Sequence, residues 1–233
     1  MLSTIKNLAN DFLHIIYPHV CIGCGSDVLE TEEIICSECF SQLPFTNYFM
    51  YEDNPVQHRF AGRLMVQHAG STFHFTTKSV MQNIVFAVKY RGNRDAGIFL
   101  GKQTGKALLQ TDWYKDIDVI VPLPLNKRKL QQRGYNQAAL IANGISQIIH
   151  KPLVDNVVLR KVYTETQTHK DRISRWESMQ HVFMVNNAEL LHNKHVLLVD
   201  DIITTGATLE ACGQHLTALP GTKLSLATAA CTI

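Results

Sequence analysis

The stretch that most constrains what this chain can fold into is HVLLVDDIITTGATL, residues 195–209. His195 to Val199 form a largely apolar run of strand length, as in a buried strand of a parallel sheet. Two adjacent aspartates follow, and then a Thr/Gly turn that opens a helical pattern. In an open parallel sheet, ligands bind beyond the carboxyl ends of the strands, and Asp200 and Asp201 stand at that end. Neighbouring residues on a strand face opposite ways. Both carboxylates therefore reach one ligand only if the chain is already leaving the strand, and Ile202 and Ile203 are expected to make that turn. Thr204, Thr205 and Thr208 then offer hydroxyls. Gly206 lets the backbone come close, and the N–H groups that open the helix, about Ala207, can wrap a phosphate. Ionised carboxylates repel phosphate, so they must face another part of the same ligand: sugar hydroxyls or a magnesium ion. A ribose 5-phosphate group satisfies both halves. A plain strand–loop–helix with a threonine cap explains the threonines but leaves two adjacent carboxylates without a role.

The surrounding pattern agrees with a parallel sheet. Strand-like residues 66–76 precede an amphipathic helix over 79–93 and a second over about 95–110. DVIVPLPL at 118–125 reads as a strand followed by a basic loop. Residues 134–150 read as a helix, VVLRKV and HVFMV (181–185) as short strands, and 223–233 as a closing strand. Strands alternating with helices imply an α/β fold, a parallel sheet with helices on its faces. Residues 40–63 show no sustained period and read as a connector.

Near the start, CIGCGSDVLETEEIICSEC at 21–39 carries two Cys-x-x-Cys pairs, Cys21/Cys24 and Cys36/Cys39. Each pair can form a knuckle that aims two thiolates at one ion, and four thiolates suit a closed, structural tetrahedral zinc site. Two disulfides compete with that reading, but the N-terminus lacks the pattern of a signal peptide, which points to a cytoplasmic, reducing setting. Cys212 and Cys231 sit in apolar or helical surroundings and read as buried thiols. Residues 1–17 place Leu2, Ile5, Leu8/Ala9, Phe12 and Ile15/Ile16 on one helical stripe suited to packing on the zinc module or the main domain.

Of the 233 residues 45% are hydrophobic and 18% charged, enough for a sizeable core. No apolar run approaches the roughly 18 residues of a membrane span. The net charge of +2 says little, but its distribution says more. Between 126 and 177 lie ten basic residues (Lys127, Arg128, Lys129, Arg133, Lys151, Arg160, Lys161, Lys170, Arg172 and Arg175) against four acidic ones, an excess of six. Such a cluster fits an anion, a phosphate or nucleic acid. Aromatics able to stack on bases are sparse in that segment (Tyr135, Tyr163 and Trp176), so no base-stacking platform is evident there.

VLLVDDIITTGAT resembles the phosphoribosyl-pyrophosphate (PRPP) signature of the type I phosphoribosyltransferases. The chain as a whole is similar to one branch of them, the ComF/GntX family, associated with natural competence and DNA utilisation. The likeness is carried by CIGC…CSEC, VKYRGN (88–93), DVIVPLPLNKRKLQQRGYNQA (118–138), RKVYTETQT (160–168) and the PRPP signature. The resemblance implies a type I phosphoribosyltransferase fold with a small N-terminal four-cysteine zinc module. Residues 1–45 would hold an N-terminal helix and the zinc finger. Residues 46–233 would hold the phosphoribosyltransferase-like domain, with a hood or connector at 46–116 and a core at 117–233. It implies that Asp200 and Asp201 bind the ribose hydroxyls, that Thr204, Thr205, Gly206, Ala207 and Thr208 hold the 5-phosphate, and that Leu125 to Lys129, including Asn126, form a pyrophosphate loop. Arg133 and the segment about 162–178 would close over the site, and Lys89 and Tyr90 match a family motif. Lys127 and Arg128 are the candidates to stabilise the charge on departing pyrophosphate, with magnesium. The segment departs from the family pattern at Lys170 and Ser178.

Two functions follow from different classes. One is a magnesium-dependent transferase acting on PRPP with an acceptor the sequence does not reveal. The other is a non-catalytic PRPP-sensing or single-stranded-DNA-binding competence factor, working with other DNA-processing proteins. A zinc-dependent hydrolase fits poorly, because four cysteines leave no open metal position.

Overall fold

The computed structural model describes residues 20–27, 29, 33–160 and 182–232. The expected N-terminal helix and the segment about 162–178 lie outside the described residues.

Four parallel strands form the centre: β1 (Ala69–His74), β2 (Val119–Pro122), β5 (His195–Ile203) and β6 (Lys223–Cys231), in the spatial order β1-β6-β5-β2. The long apolar run of β5 follows from its central position, with Val196 to Val199 wholly buried. The side chains alternate, Leu197 and Val199 joining one apolar cluster and Val196 and Leu198 the other. On the first side pack α3 (Val80–Tyr90), α4 (Arg94–Leu109) and α6 (Gln137–Ile149). On the second side pack α7 (Ala207–Thr217) and Val56 and Phe60, which belong to α2 (Pro55–His58) and the turns after it. The helix α2 was read as connector. It starts on Asn54, whose Oδ1 accepts from the N–H groups of Val56 and Gln57 at 2.9 and 3.0 Å, a cap worth about 1 kcal/mol.

Helices α4 and α6 touch at their backbones. A Cβ on Gly101 would stand 2.1 Å from the Ile141 carbonyl oxygen, and one on Gly144 would stand 2.3 Å from that of Ile98. Only glycine permits this approach, and it draws the first turn of α6 close to the ends of β2 and β5.

Three local expectations are corrected. Strand β5 does not turn at Ile202: it keeps its register with β6 through Ile202↔Ala230 and Ile203↔Cys231, so both aspartates lie within it. The basic stretch after β2 is a helix, α5 (Lys127–Arg133), and not a loop. Its residues are good helix formers. Asn126 caps its start by accepting from the Arg128 N–H at 2.9 Å, and Gly134, at φ 75°, ends it in the left-handed region. The short strands β3 (Val158–Arg160) and β4 (Phe183–Val185) pair antiparallel with each other and stand apart from the main sheet.

The cysteine module, with α1 (Ser37–Ser41), shares one apolar cluster with α3 and α4. Asn83 of α3 donates to the Gly23 carbonyl at 2.7 Å, tying the first knuckle to the helix that ends at Lys89 and Tyr90. Among the described residues no helix is long and apolar enough to cross a membrane.

Candidate functional site

The carboxyl end of β5 opens into two adjoining cavities. The larger, of about 150 Å³, is lined by Asp200 and Asp201 from β5, Lys89 from α3, Leu123 to Leu125 after β2, Lys129 and Arg133 from α5, Asn136 to Ala138 opening α6, Arg160 ending β3, and Thr208. The smaller, of about 40 Å³, is enclosed by Asp200 and Ile202 to Leu209. Asp200 and Thr208 belong to both, so a ligand that spans them passes the carboxylates.

The two aspartates meet different partners. Lys89 Nζ lies 2.9 Å from Asp201 Oδ2, and both side chains are mostly buried. Asp200 shares its cavity with Arg160 and interacts electrostatically with it and with the buried Cys212. Each carboxylate also accepts from the next backbone N–H: Asp201 N to Asp200 Oδ1 at 2.8 Å, and Ile202 N to Asp201 Oδ1 at 2.6 Å. Burial, and then the charge of Asp201, push the Asp200 carboxyl up to about 8, against the opposing pull of the Asp201 N–H, Lys89 and Arg160. Burial in turn lowers the Arg160 guanidinium from its usual range. Beyond these contacts the carboxylate oxygens keep acceptor positions for further hydrogen-bond donors or a cation. Sugar hydroxyls or a ligand-bound cation would fill them.

The small cavity is built from backbone. Gly206, at φ 79°, is the residue before α7, and no side chain caps that helix start. A Cβ on Gly206 would stand 3.0 Å from the Phe60 ring, so the turn is held from beneath as well. Arg63 braces it from outside, pairing with Glu210 at 3.0 Å. Apart from that of Ala207, which reaches Thr205 Oγ1 at 3.4 Å, the N–H groups that begin α7 are therefore open to an anion.

The expected residues fall into three groups. Asp200, Asp201, Lys89, Leu125, Arg133 and Thr204 to Thr208 line the two cavities. Tyr90 stands at the rim, with Arg133 over its ring at 5.5 Å. Asn126 serves as the cap of α5, and Lys127 and Arg128 project into solvent on its first turn, outside the lining. Because the segment is helical, the cations that reach the cavity are Lys129 and Arg133, four apart on one face. Sequence reasoning passed over Asn136, Gln137 and Arg160 as site residues. Asn136 donates to the Leu123 carbonyl at 2.9 Å and so holds the end of β2, and Gln137 accepts from Arg133 at 2.9 Å. GYNQA gave a signal for the first two, and the basic count included Arg160. A larger cavity of about 460 Å³ lies against Phe45, Phe49 and the end of α4, with Lys106 the one charged residue among its lining.

The sulfur atoms of Cys21, Cys24, Cys36 and Cys39 all lie within 4.8 Å of one another, positioned to hold a metal ion. Those of Cys24 and Cys36 are 3.9 Å apart. A tetrahedron of zinc–sulfur bonds of about 2.3 Å needs roughly 3.8 Å. Burial opposes the Cys21 thiolate, but N–H groups of Cys36, Cys24 and Gly23 outweigh it and bring the thiol down to about 6. Burial and the neighbouring sulfurs push Cys39 the other way. Four thiolates thus need a cation among them.

A family model described as phosphoribosyl transferase domain matches residues 136–230, from the start of α6 through β5 and its turn to β6. Over 199 residues the chain is 29% identical to competence protein ComFC of Bacillus subtilis, covering 84% of this chain and 77% of that one. Over 198 residues it is 27% identical to competence protein F of Haemophilus influenzae, with 84% and 77% covered. A stretch of 99 residues is 30% identical to the DNA utilization protein YhgH of Escherichia coli, 42% of this chain and 43% of that one.

Proposed function

Since the chain belongs to the ComF family, we propose that its paired cavities bind PRPP with magnesium and that the protein acts in the uptake or use of DNA. The observation that carries this reading is the sharing of Asp200 and Thr208 between a carboxylate-and-cation cavity and a backbone-built anion cradle. A ribose lying on Asp200 and Asp201 would send its 5-phosphate to Thr204–Thr208. Its pyrophosphate would go to Lys129, Arg133 and Arg160. The four cations of the larger cavity outnumber its two carboxylates, which suits a polyanion.

In this reading the carboxylates accept from the ribose hydroxyls and orient the sugar. Lys89, paired with Asp201, holds that carboxylate in place for the role. Transfer would break the bond between ribose C1 and the pyrophosphate oxygen, the electron pair leaving with pyrophosphate, while an acceptor's lone pair forms the new bond to C1. Lys129, Arg133 and Arg160 meet the growing negative charge in a partly dry pocket, where such charges act most strongly. Magnesium bound with the ligand would neutralise part of the same charge, and the remaining acceptor positions of the carboxylates fit such an ion beside them.

Calorimetric titration of PRPP with magnesium tests the site. The expected outcome is saturable binding that disappears in a folded Asp200→Asn/Asp201→Asn variant; unchanged affinity in that variant would remove the assignment. A screen of nucleobases for pyrophosphate release then separates a transferase from a sensor that binds without turnover.

Zinc is the ion we assign to the four cysteines, from the sulfur spacing and the N–H groups turned toward Cys21. Thiols kept reduced for that purpose fit the cytoplasm. Metal analysis of protein purified without chelator is expected to give one zinc per chain, and Cys36→Ser to lose it; metal-free protein with an intact fold would count against the assignment.

A further inference from the structure

Helix α3 buries Met81, Ile84, Val85, Ala87 and Val88, yet its opposite face carries two large aromatic rings. Phe86 is 47% exposed and Tyr90 66%. They stand four residues apart, 4.9 Å between ring centroids and tilted by 43°. Guanidinium groups attend both: Arg91 lies over Phe86 at 5.4 Å and Arg133 over Tyr90 at 5.5 Å. Beside them Arg94 lies over the half-buried Tyr135 at 5.2 Å. The result is an open strip of rings and fixed cations that runs outward from the rim of the PRPP-type pocket, where Arg133 belongs to both surfaces.

We propose that the Phe86–Tyr90 face of α3, with Arg91, Arg94 and Arg133, is a stacking platform for the bases of a single-stranded nucleic acid. Exposed rings offer the sequence-independent surface that unpaired bases stack on, and guanidinium groups between them meet the phosphates. A free nucleobase fits less well: it carries no charge for three arginines, and the strip has no enclosing wall. A duplex fits less well too, because its base faces are already stacked. The platform does not depend on PRPP occupying the pocket.

Fluorescence anisotropy with labelled oligothymidylate and oligouridylate tests this at low and moderate salt. Each ring is expected to contribute about tenfold or more in affinity. Phe86→Leu and Tyr90→Leu, which keep apolar bulk without a ring face, should each weaken binding by that factor, whereas Phe86→Tyr and Tyr90→Phe should restore it. Arg91→Gln with Arg94→Gln should flatten the dependence on salt. A matched duplex should bind more weakly than either strand. Equal binding by wild type and both leucine variants, or duplex binding as tight as single-strand binding, would overturn the platform. PRPP titrated into Phe86→Leu, a residue away from the pocket lining, keeps the two readings apart. A ring-dependent oligonucleotide affinity in a protein that fails to bind PRPP would sustain the platform and remove the pocket assignment.

Discussion

The two halves of the pocket are made in opposite ways. The proposed anion cradle is one unbroken stretch, Thr204 to Thr208, whose backbone would do the holding. The basic wall is assembled from Lys89 on α3, Lys129 and Arg133 on α5, and Arg160 at the end of β3, each a single side chain delivered by tertiary packing. The cradle depends on local backbone geometry and tolerates no change in it. The wall distributes its charge, so each member matters less and can be replaced. Damage to the two halves should therefore differ in size and in kind.

The largest effect is expected at Gly206. Its φ of 79° is a conformation that other residues adopt only with strain, and a Cβ there already crowds Phe60. Gly206→Val should cost about 1–3 kcal/mol of stability by thermal or urea unfolding. It should also re-aim the N–H groups that begin α7. Losing two hydrogen bonds to a phosphate lowers PRPP affinity by on the order of 100-fold, from about 1.5 kcal/mol each. Retained affinity in the valine variant would show that the cradle is not where phosphate sits.

The seam between the halves is Asp200, and its ionisation gives the next effect. Its carboxyl is pushed up to about 8 in the folded protein, against about 3.9 in an unfolded chain. Between those values the folded state holds the extra proton. Stability should thus fall as pH rises from about 4 to 8 and level off above, by at most about 1.4 kcal/mol per pH unit. Asp200→Asn should remove that slope in urea-unfolding series. Ribose hydroxyls need an ionised acceptor, so PRPP binding near pH 7 should release a proton. The calorimetric enthalpy would then vary with the ionisation enthalpy of the buffer. A slope that persists in the asparagine variant would assign the proton elsewhere.

What the sequence made legible follows the same division. The parallel α/β core, the paired cysteines and the cradle each announce themselves in contiguous residues, because β5 is buried on both faces and the Thr/Gly turn serves one purpose. The reading of Ile202 and Ile203 as a turn failed for a physical reason. The need for two neighbouring carboxylates in one site was taken to require a bent chain. The structure keeps the strand straight in register and instead brings Lys89 to Asp201 and Arg160 toward Asp200. The basic wall was legible only as composition. LNKRKLQQRG contains lysines and arginines at four positions, and which of them face inward depends on helicity set by the Asn126 cap and the Gly134 stop. The exposed aromatic pair on α3 was hidden for a related reason: Phe86 and Tyr90 fit an ordinary amphipathic pattern until the packing shows which face is covered.

The smallest effect is also the sharpest test of the helical wall. On α5, Lys129 and Arg133 line the cavity while Lys127 and Arg128 project from the first turn into solvent. Exposed charges beyond the ligand act on it only through screened water, with a Debye length of about 8 Å at physiological salt. Lys129→Ala and Arg133→Ala should each weaken PRPP about tenfold, one lost charge-assisted contact apiece. Lys127→Ala and Arg128→Ala should change it less than about twofold at that salt. The latter pair should even steady the helix slightly, by about 0.3 kcal/mol each, since cations at a helix N-terminus oppose its dipole. Calorimetry on the four single variants, with thermal melts alongside, reads both quantities. If all four fell alike, the basic segment would be acting as the pyrophosphate loop first expected from the sequence. If only Lys129 and Arg133 mattered, the helix and its Asn126 cap would be what selects the cations that meet the leaving group.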